Sequence, residues 1–187
     1  MISERQKFVE DDITRILPLV IDKFDDLRDR SLLITGAGGF LGSWLIQLIN
    51  FLNNSHNFSI QLFLIDRDFR NLKQNNPNIL NFKNIVVIET DIRSSINPSN
   101  SIDYIIHAAS TPDRRMHSSS PLDTMRSISE GTSSILHVAS RLPNLKMLIN
   151  MSASSIYDQS NMTSIDENSC GKSLSQNVIY AHSEAKR

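Results

Sequence analysis

Five short apolar runs punctuate the chain, at residues 31–35, 60–65, 85–89, 104–107 and 146–151. Each is rich in Ile, Leu and Val and short for a core helix, so each predicts a strand buried on both faces. Between them apolar positions recur at helical spacing. Residues 41–52 place Leu41, Leu45, Leu48, Ile49 and Leu52 on one side, and residues 122–142 turn Met125, Ile128, Ile135, Leu136 and Ala139 toward a sheet. Alternation of this kind predicts an α/β fold: a doubly wound parallel sheet with helices on both faces and right-handed crossovers. Residues 71–84, asparagine-rich around Pro77, and residues 94–101 read as polar surface connections. Ahead of the first strand, Phe8, Ile13, Ile16, Leu17, Val20, Phe24 and Leu27 recur at helical spacing while Pro18 breaks the run. Residues 1–30 therefore predict a helical extension packed on one compact domain, residues 31–187.

The first strand runs into Thr35-Gly36-Ala37-Gly38-Gly39-Phe40-Leu41-Gly42 and then into the 41–52 helix. Spaced glycines between a strand and a helix N-terminus are how a chain cradles a dinucleotide pyrophosphate. Gly36 permits the tight turn, Gly39 admits the phosphates to the backbone, and Gly42 lets helix and strand pack closely. This predicts a Rossmann-type domain with the ligand beyond the carboxyl ends of its strands.

The spacing Gly-x-x-Gly-x-x-Gly, followed in order by the motifs below, resembles the short-chain dehydrogenase/reductase superfamily. Gly39-Phe40-Leu41-Gly42 is similar to its extended branch, the NAD-dependent nucleotide-sugar epimerases, dehydratases and decarboxylases. The resemblance covers about residues 31–187 and implies NAD as cofactor, with Gly36, Gly39, Phe40, Leu41 and Gly42 at the pyrophosphate. Asp66, closing the second strand, can accept both adenosine ribose hydroxyls and would repel a 2′-phosphate, although Arg67 and Arg70 beside it could meet one. Asp91-Ile92 looks like the family's adenine-holding pair. Ala108, Ala109 and Ser110 follow His107 as in its His-Ala-Ala segment, beside the pyrophosphate and nicotinamide ribose, and His107 itself reads as a satisfied structural histidine.

The chemical half of the pattern departs from the family. Met151-Ser152-Ala153-Ser154-Ser155-Ile156-Tyr157 corresponds to Ser-Ser/Thr-x-x-hydrophobic-Tyr, with Ala153 at the catalytic hydroxyl and Ser152 and Ser154 flanking it. The Tyr-x-x-x-Lys helix aligns on Tyr180, which the resemblance makes the general acid/base and a cofactor contact, and this puts Glu184 at the Lys position. Lys186, six residues and about 600° around a continuous helix from Tyr180, turns away from it. A register with His182 and Lys186 on one face is geometrically possible but gives up the phenol. Ile128 stands where the family's Asn-x-x-Gly-Thr element has Asn, with Gly131 and Thr132 kept.

Charge and cysteine content add little but exclusions. Formal net charge is −1, which points to neither nucleic acid nor an anionic membrane, and no apolar run reaches spanning length. A single cysteine, Cys170, suits a reducing cytoplasmic setting and reads as a structural thiol. No two histidines show metal-ligand spacing, so no metal site is expected. Two functions stand: the cofactor domain of a hydride-transferring enzyme on nucleotide-sugars, and a degenerate module that keeps NAD or a nucleotide for structure or regulation. The resemblance also implies a homodimer, and a further C-terminal portion to hold the nucleotide-sugar substrate.

Overall fold

The computed structural model describes residues 4–94, 96, 98, 101–110, 114–157, 165, 167 and 178–187. Five parallel strands form one sheet in the order β3-β2-β1-β4-β5: β1 Ser31–Thr35, β2 Gln61–Asp66, β3 Ile85–Glu89, β4 Tyr104–His107 and β5 Met147–Asn150. The order reverses between β1 and β4, which is where an open α/β sheet leaves a crevice for a ligand. Register aligns the strand ends. Thr35 lies opposite Ile65 on one side and His107 on the other, and His107 opposite Asn150, so four loops emerge along one edge.

Alternation along the pleat divides the core. Leu32, Ile34, Leu62 and Leu64 face a layer with Ile46, Ile49 and Leu52 of α2 (Phe40–His56), whereas Leu33, Phe63, Ile65 and Ile105 face Ile135 and Val138 of α5 (Pro121–Ala139). Residues before the sheet form α1 (Glu4–Ile16) and two 3-10 segments, Leu17–Leu19 with Pro18 and Ile21–Leu27. Ile13 and Leu17 are buried in the α2 layer, while Phe8 and Leu19 are exposed.

Four expectations need correction. The outer strands β3 and β5 are not buried on both faces, since Val86, Met147 and Ile149 are exposed at the two edges of the sheet. Residues 71–84 are more than a surface connection: α3 (Phe69–Asn75), N-capped by Asp68, and a 3-10 turn at Ile79–Asn81 bury Leu72, Asn76 and Ile79. The inner stripe of α5 is Thr124, Ile128, Gly131, Ile135 and Val138, with Met125 and Leu136 exposed, because the apolar count favoured large residues and passed over the small ones that allow close packing. On α2 the inner face holds Ile46 with Leu48, Ile49 and Leu52, and Leu41 is exposed at the first turn. Residues 94–101 are described only in part, with Ile96 buried, and Cys170 lies outside the described residues.

The ends of β1 and β4 are locked together. Gly36 has φ +69°, and a Cβ there would meet the Ala109 backbone at 2.8 Å. Beside it the Ala109 amide donates to Thr35 Oγ1 at 3.2 Å, and that hydroxyl lies 2.7 Å from His107 Nδ1. The hydroxyl hydrogen is free to be donated to that ring nitrogen when the imidazole is neutral. Burial first, then the Lys186 cation, pushes the His107 pKa down to about 4. A second close approach lies at Gly42, where a Cβ would collide with Gly36 O and stand 2.7 Å from Ala37 Cα.

Two outcomes are expected. Gly42→Ala should lose about 1–3 kcal/mol of stability through overpacking, read by urea denaturation. Because folded His107 holds its proton less readily than the unfolded chain, stability is full above about pH 6.5 and falls as pH drops toward 4, by up to about 3 kcal/mol. Urea midpoints at pH 7 and 4.5 should differ less in His107→Gln than in the parent chain.

Candidate functional site

A cavity of about 1320 Å³ opens over the carboxyl ends of the strands. It exceeds the roughly 300–1,000 Å³ typical of pockets for drug-sized ligands and has room for a dinucleotide. Gly36, Gly39, Phe40, Leu41 and Gly42 form its floor. Ser43 is the first α2 residue whose amide reaches a backbone carbonyl, Gly39 at 3.0 Å, so among the described residues the earlier helical amides at Phe40 and Leu41 remain for an anion. Gly39 is the glycine of the turn that faces the cavity most openly. Its φ of −72° is ordinary, and an added Cβ would meet only Gly36 O, at 3.1 Å, before open space. That one contact is tight and is to backbone, but it is the single neighbour within 4 Å, so the rest of the Gly39 surface faces the cavity, where a phosphate can lie against the backbone. These residues fit a pyrophosphate.

The adenosine end is built by β2 and β3. Asp66 Oδ2 accepts from the Gly38 amide at 2.7 Å and Oδ1 from the Asp68 amide at 3.1 Å, which aims the carboxylate at the glycine turn. From α3, Asn71 and Asn75 donate to the Gly38 carbonyl at 3.2 and 2.8 Å. Sequence reasoning missed Gly38 and both asparagines; a signal was present in the asparagine repeat, which shares one helix face at i and i+4. Asp91 is more engaged than expected: Arg93 grips it through Nε at 3.0 Å and Nη2 at 2.7 Å, and the Arg93 amide adds a bond at 2.9 Å. These hydrogen bonds from Arg93 hold its carboxyl down at about 2. Arg67 and Ile92 line the same region, and Gly131 of α5 packs against the Ile92 side chain.

The other end is walled by β4, β5 and the last helix. Ala108, Ala109 and Ser110 follow β4 into the cavity, and Ser152, Ala153 and Ser154 follow β5. Tyr180 lines the cavity, but it belongs to a 3-10 turn, Val178–Tyr180, and caps α6 (Ala181–Lys186). This corrects the expectation for Lys186. A count of 100° per residue from Tyr180 assumes one continuous α-helix, and the helix begins only at Ala181. Lys186 turns inward, its Nζ donating to the Met151 carbonyl at 2.7 Å, just beyond β5. Burial lowers its pKa from the usual lysine value. Glu184 pairs with Arg187 at 3.4 Å, and Arg187 reaches the Ile156 carbonyl at 2.9 Å, so two cations, Lys186 and Arg187, bond the segment that follows β5, Lys186 nearest the strand end.

Two histidines share this wall: His182, which the alternative register had put on one face with Lys186, and His117, to which the sequence gave no site role. His117, from α4 (Arg114–Ser119), stacks on His182 with ring centroids 4.4 Å apart and planes 16° from parallel. Among the described residues no group of three or more His, Cys, Asp or Glu side chains could hold a metal ion, and no helix is long and apolar enough to cross a membrane.

No curated protein matches the chain by sequence. Among solved structures it is similar in fold to UDP-glucose-4-epimerase from Stenotrophomonas maltophila with bound NAD and formylated UDP-arabinopyranose (17% identity, 84% of this chain and 45% of that one, TM-score 0.64). It is similar also to a variant UDP-glucuronic acid 4-epimerase from Bacillus cereus in complex with NAD and a fluorinated substrate relative (23%, 83% and 48%, TM-score 0.65). A third is the UDP-Glc/GlcNAc 4-epimerase from Campylobacter jejuni (17%, 84% and 46%, TM-score 0.67). The chain spans less than half the length of each. At these identities the likeness shows the shared fold, and the sequence carries the assignment further: residues 32–186 match the NAD dependent epimerase/dehydratase family, to which this chain belongs.

Proposed function

We propose that this chain is the NAD-binding portion of an enzyme that epimerises, dehydrates or decarboxylates a nucleotide-sugar by transient hydride transfer. The observation that carries the reading is the Gly39 cradle, a backbone surface left bare for a ligand and faced by the first amides of α2. When bound, NAD supplies a reversible acceptor for a hydride from a sugar carbon. The chain's own residues do the rest. Phe40 and Leu41 amides meet the pyrophosphate, Asp66 accepts from the adenosine ribose with Arg67 at its edge, and Asp91 and Ile92 hold adenine. Ala108, Ala109 and Ser110 give the backbone room beside the nicotinamide ribose, which Lys186 is placed to hold. Ser152 and Ser154 offer hydroxyls around Ala153 to a substrate oxygen, and Tyr180 stands at the rim. Residues 1–30 are a helical extension in front of this domain, and a single cysteine fits a cytoplasmic setting.

The alternative of a nucleotide-holding module without chemistry draws on Ala153 and Ile128. Lys186 beside β5 supports the enzyme reading instead, since a cation at the sugar end does nothing for the adenosine end.

Calorimetric titration tests the cofactor assignment. NAD should bind more tightly than NADP, and Gly39→Val should abolish binding in a chain that urea denaturation shows to be still folded at the titration conditions, with Gly39→Ala weakening binding by a smaller factor. Equal affinity for both dinucleotides, or binding undisturbed by the valine, would overturn it. We also place a homodimer contact on the outer face of α5, where Leu122, Met125 and Leu136 are exposed. Sedimentation should show dimers that Leu136→Glu converts to monomers.

A further inference from the structure

We propose that His182 is the group that takes the proton from the substrate hydroxyl, with His117 as the residue that positions it. This rests on the NAD-dependent reading above and names the base in it. Within α6 the residue one turn before Lys186 is His182, so the two side chains share the face that looks into the cavity. Tyr180 lies outside the helix at its cap. The ring of His182 is fixed by stacking on the buried ring of His117, and Lys186 is fixed by the Met151 carbonyl. A base held in one orientation beside a cation, at the end of the cavity away from Asp66 and Asp91, has the geometry that proton transfer needs.

The charge state agrees. Burial, then His117, then Lys186 holds the His182 imidazole below its ordinary value, so it is neutral with a lone pair to offer near pH 7. The groups that bear on it come from every neighbouring element. His117 faces it from α4; Lys186, Glu184 and Arg187 come from its own helix and its end, with Glu184 and Arg187 paired; Tyr180 caps the helix, Tyr157 follows β5 into the cavity wall, and α5 contributes Ser127. In the step itself the substrate O–H bond breaks and its proton goes to a ring nitrogen of His182. The carbon–oxygen bond becomes a carbonyl as the hydrogen on that carbon leaves with its electron pair to oxidised NAD. Reversal returns both to the sugar. An imidazole needs no lysine to make it basic at neutrality, which removes the demand for a phenol.

Histidine ring resonances of the labelled chain, assigned with His182→Gln and His117→Gln, give the first readout. His182 should titrate below about pH 6.5, and His117→Gln should move that midpoint upward. Calorimetry should show His182→Gln binding NAD within about threefold of the parent. In the full-length protein, single-turnover reduction of bound NAD by UDP-sugars should fall by about two to four orders of magnitude in His182→Gln. Its acidic midpoint should follow the His182 titration, shift with His117→Gln, and stay in place in Tyr180→Phe. Reduction that survives His182→Gln but is lost in Tyr180→Phe overturns the proposal alone, as does a His182 ring still protonated at pH 7.5. NAD binding without any reduction by the parent protein overturns both this proposal and the enzyme reading. Absence of NAD binding overturns the cofactor assignment itself.

Discussion

The contact on which the rest depends is the close approach of Gly36 to the backbone of Ala108 and Ala109. A Cβ on residue 36 would come within 2.8–2.9 Å of those atoms, and the φ of +69° there is strained for any side-chain-bearing residue. Because β1 and β4 lie side by side across the switch in strand order, this contact sets how far the two halves of the crevice stand apart. Thr35 and His107 hold the same junction by side chain, which makes the cradle's floor and its far wall one rigid unit.

From that junction the two ends of the cavity differ in chemistry, although both signs of charge line each: Arg67 and Arg93 stand with the acids at one end, Glu184 with Lys186 and Arg187 at the other. Carboxylates occupy the β2–β3 end, where Asp66 is aimed by the glycine turn and Asp91 is restrained by Arg93. The β4–β5 end carries the cation of Lys186 and the two stacked histidines, inside walls that raise the cost of further positive charge. The separation suits a ligand whose recognition end needs acceptors and whose reacting end needs proton transfer. The lowered pKa values of His107, His182 and Lys186 share one cause, burial around the end of β4 and β5.

Supports outside the cavity matter as much. The asparagines of α3 work in two directions: Asn71 and Asn75 clamp the Gly38 carbonyl, and buried Asn76 bonds Ser43 Oγ at 3.2 Å while accepting from Gln47 at 2.9 Å. They tie the glycine turn to both the helix that follows it and the helix after β2. Gly131 does the equivalent from the opposite layer, letting α5 approach Ile92.

The sequence alone determined what short-range pattern encodes. Apolar runs marked all five strands within a residue or so, and the glycine spacing located the turn, because strand propensity and backbone geometry are written into consecutive residues, whereas which strands lie at the exposed edges is not. Acids at the ends of strands were equally legible as cavity-lining groups, since strand ends fix where they point. Tertiary structure decided the rest. Which face of α5 turned inward depended on where small residues could meet Ile92 and the sheet, and α3 formed over a polar stretch because Gly38 and Ser43 offered partners far away in the chain. The register of α6 was settled by two long-range bonds, Lys186 to Met151 and Arg187 to Ile156, together with a helix start at Ala181 that no periodicity announced. A six-residue helix carries too few turns to fix its own phase, so its partners fixed it, and with it which side chains face the cavity.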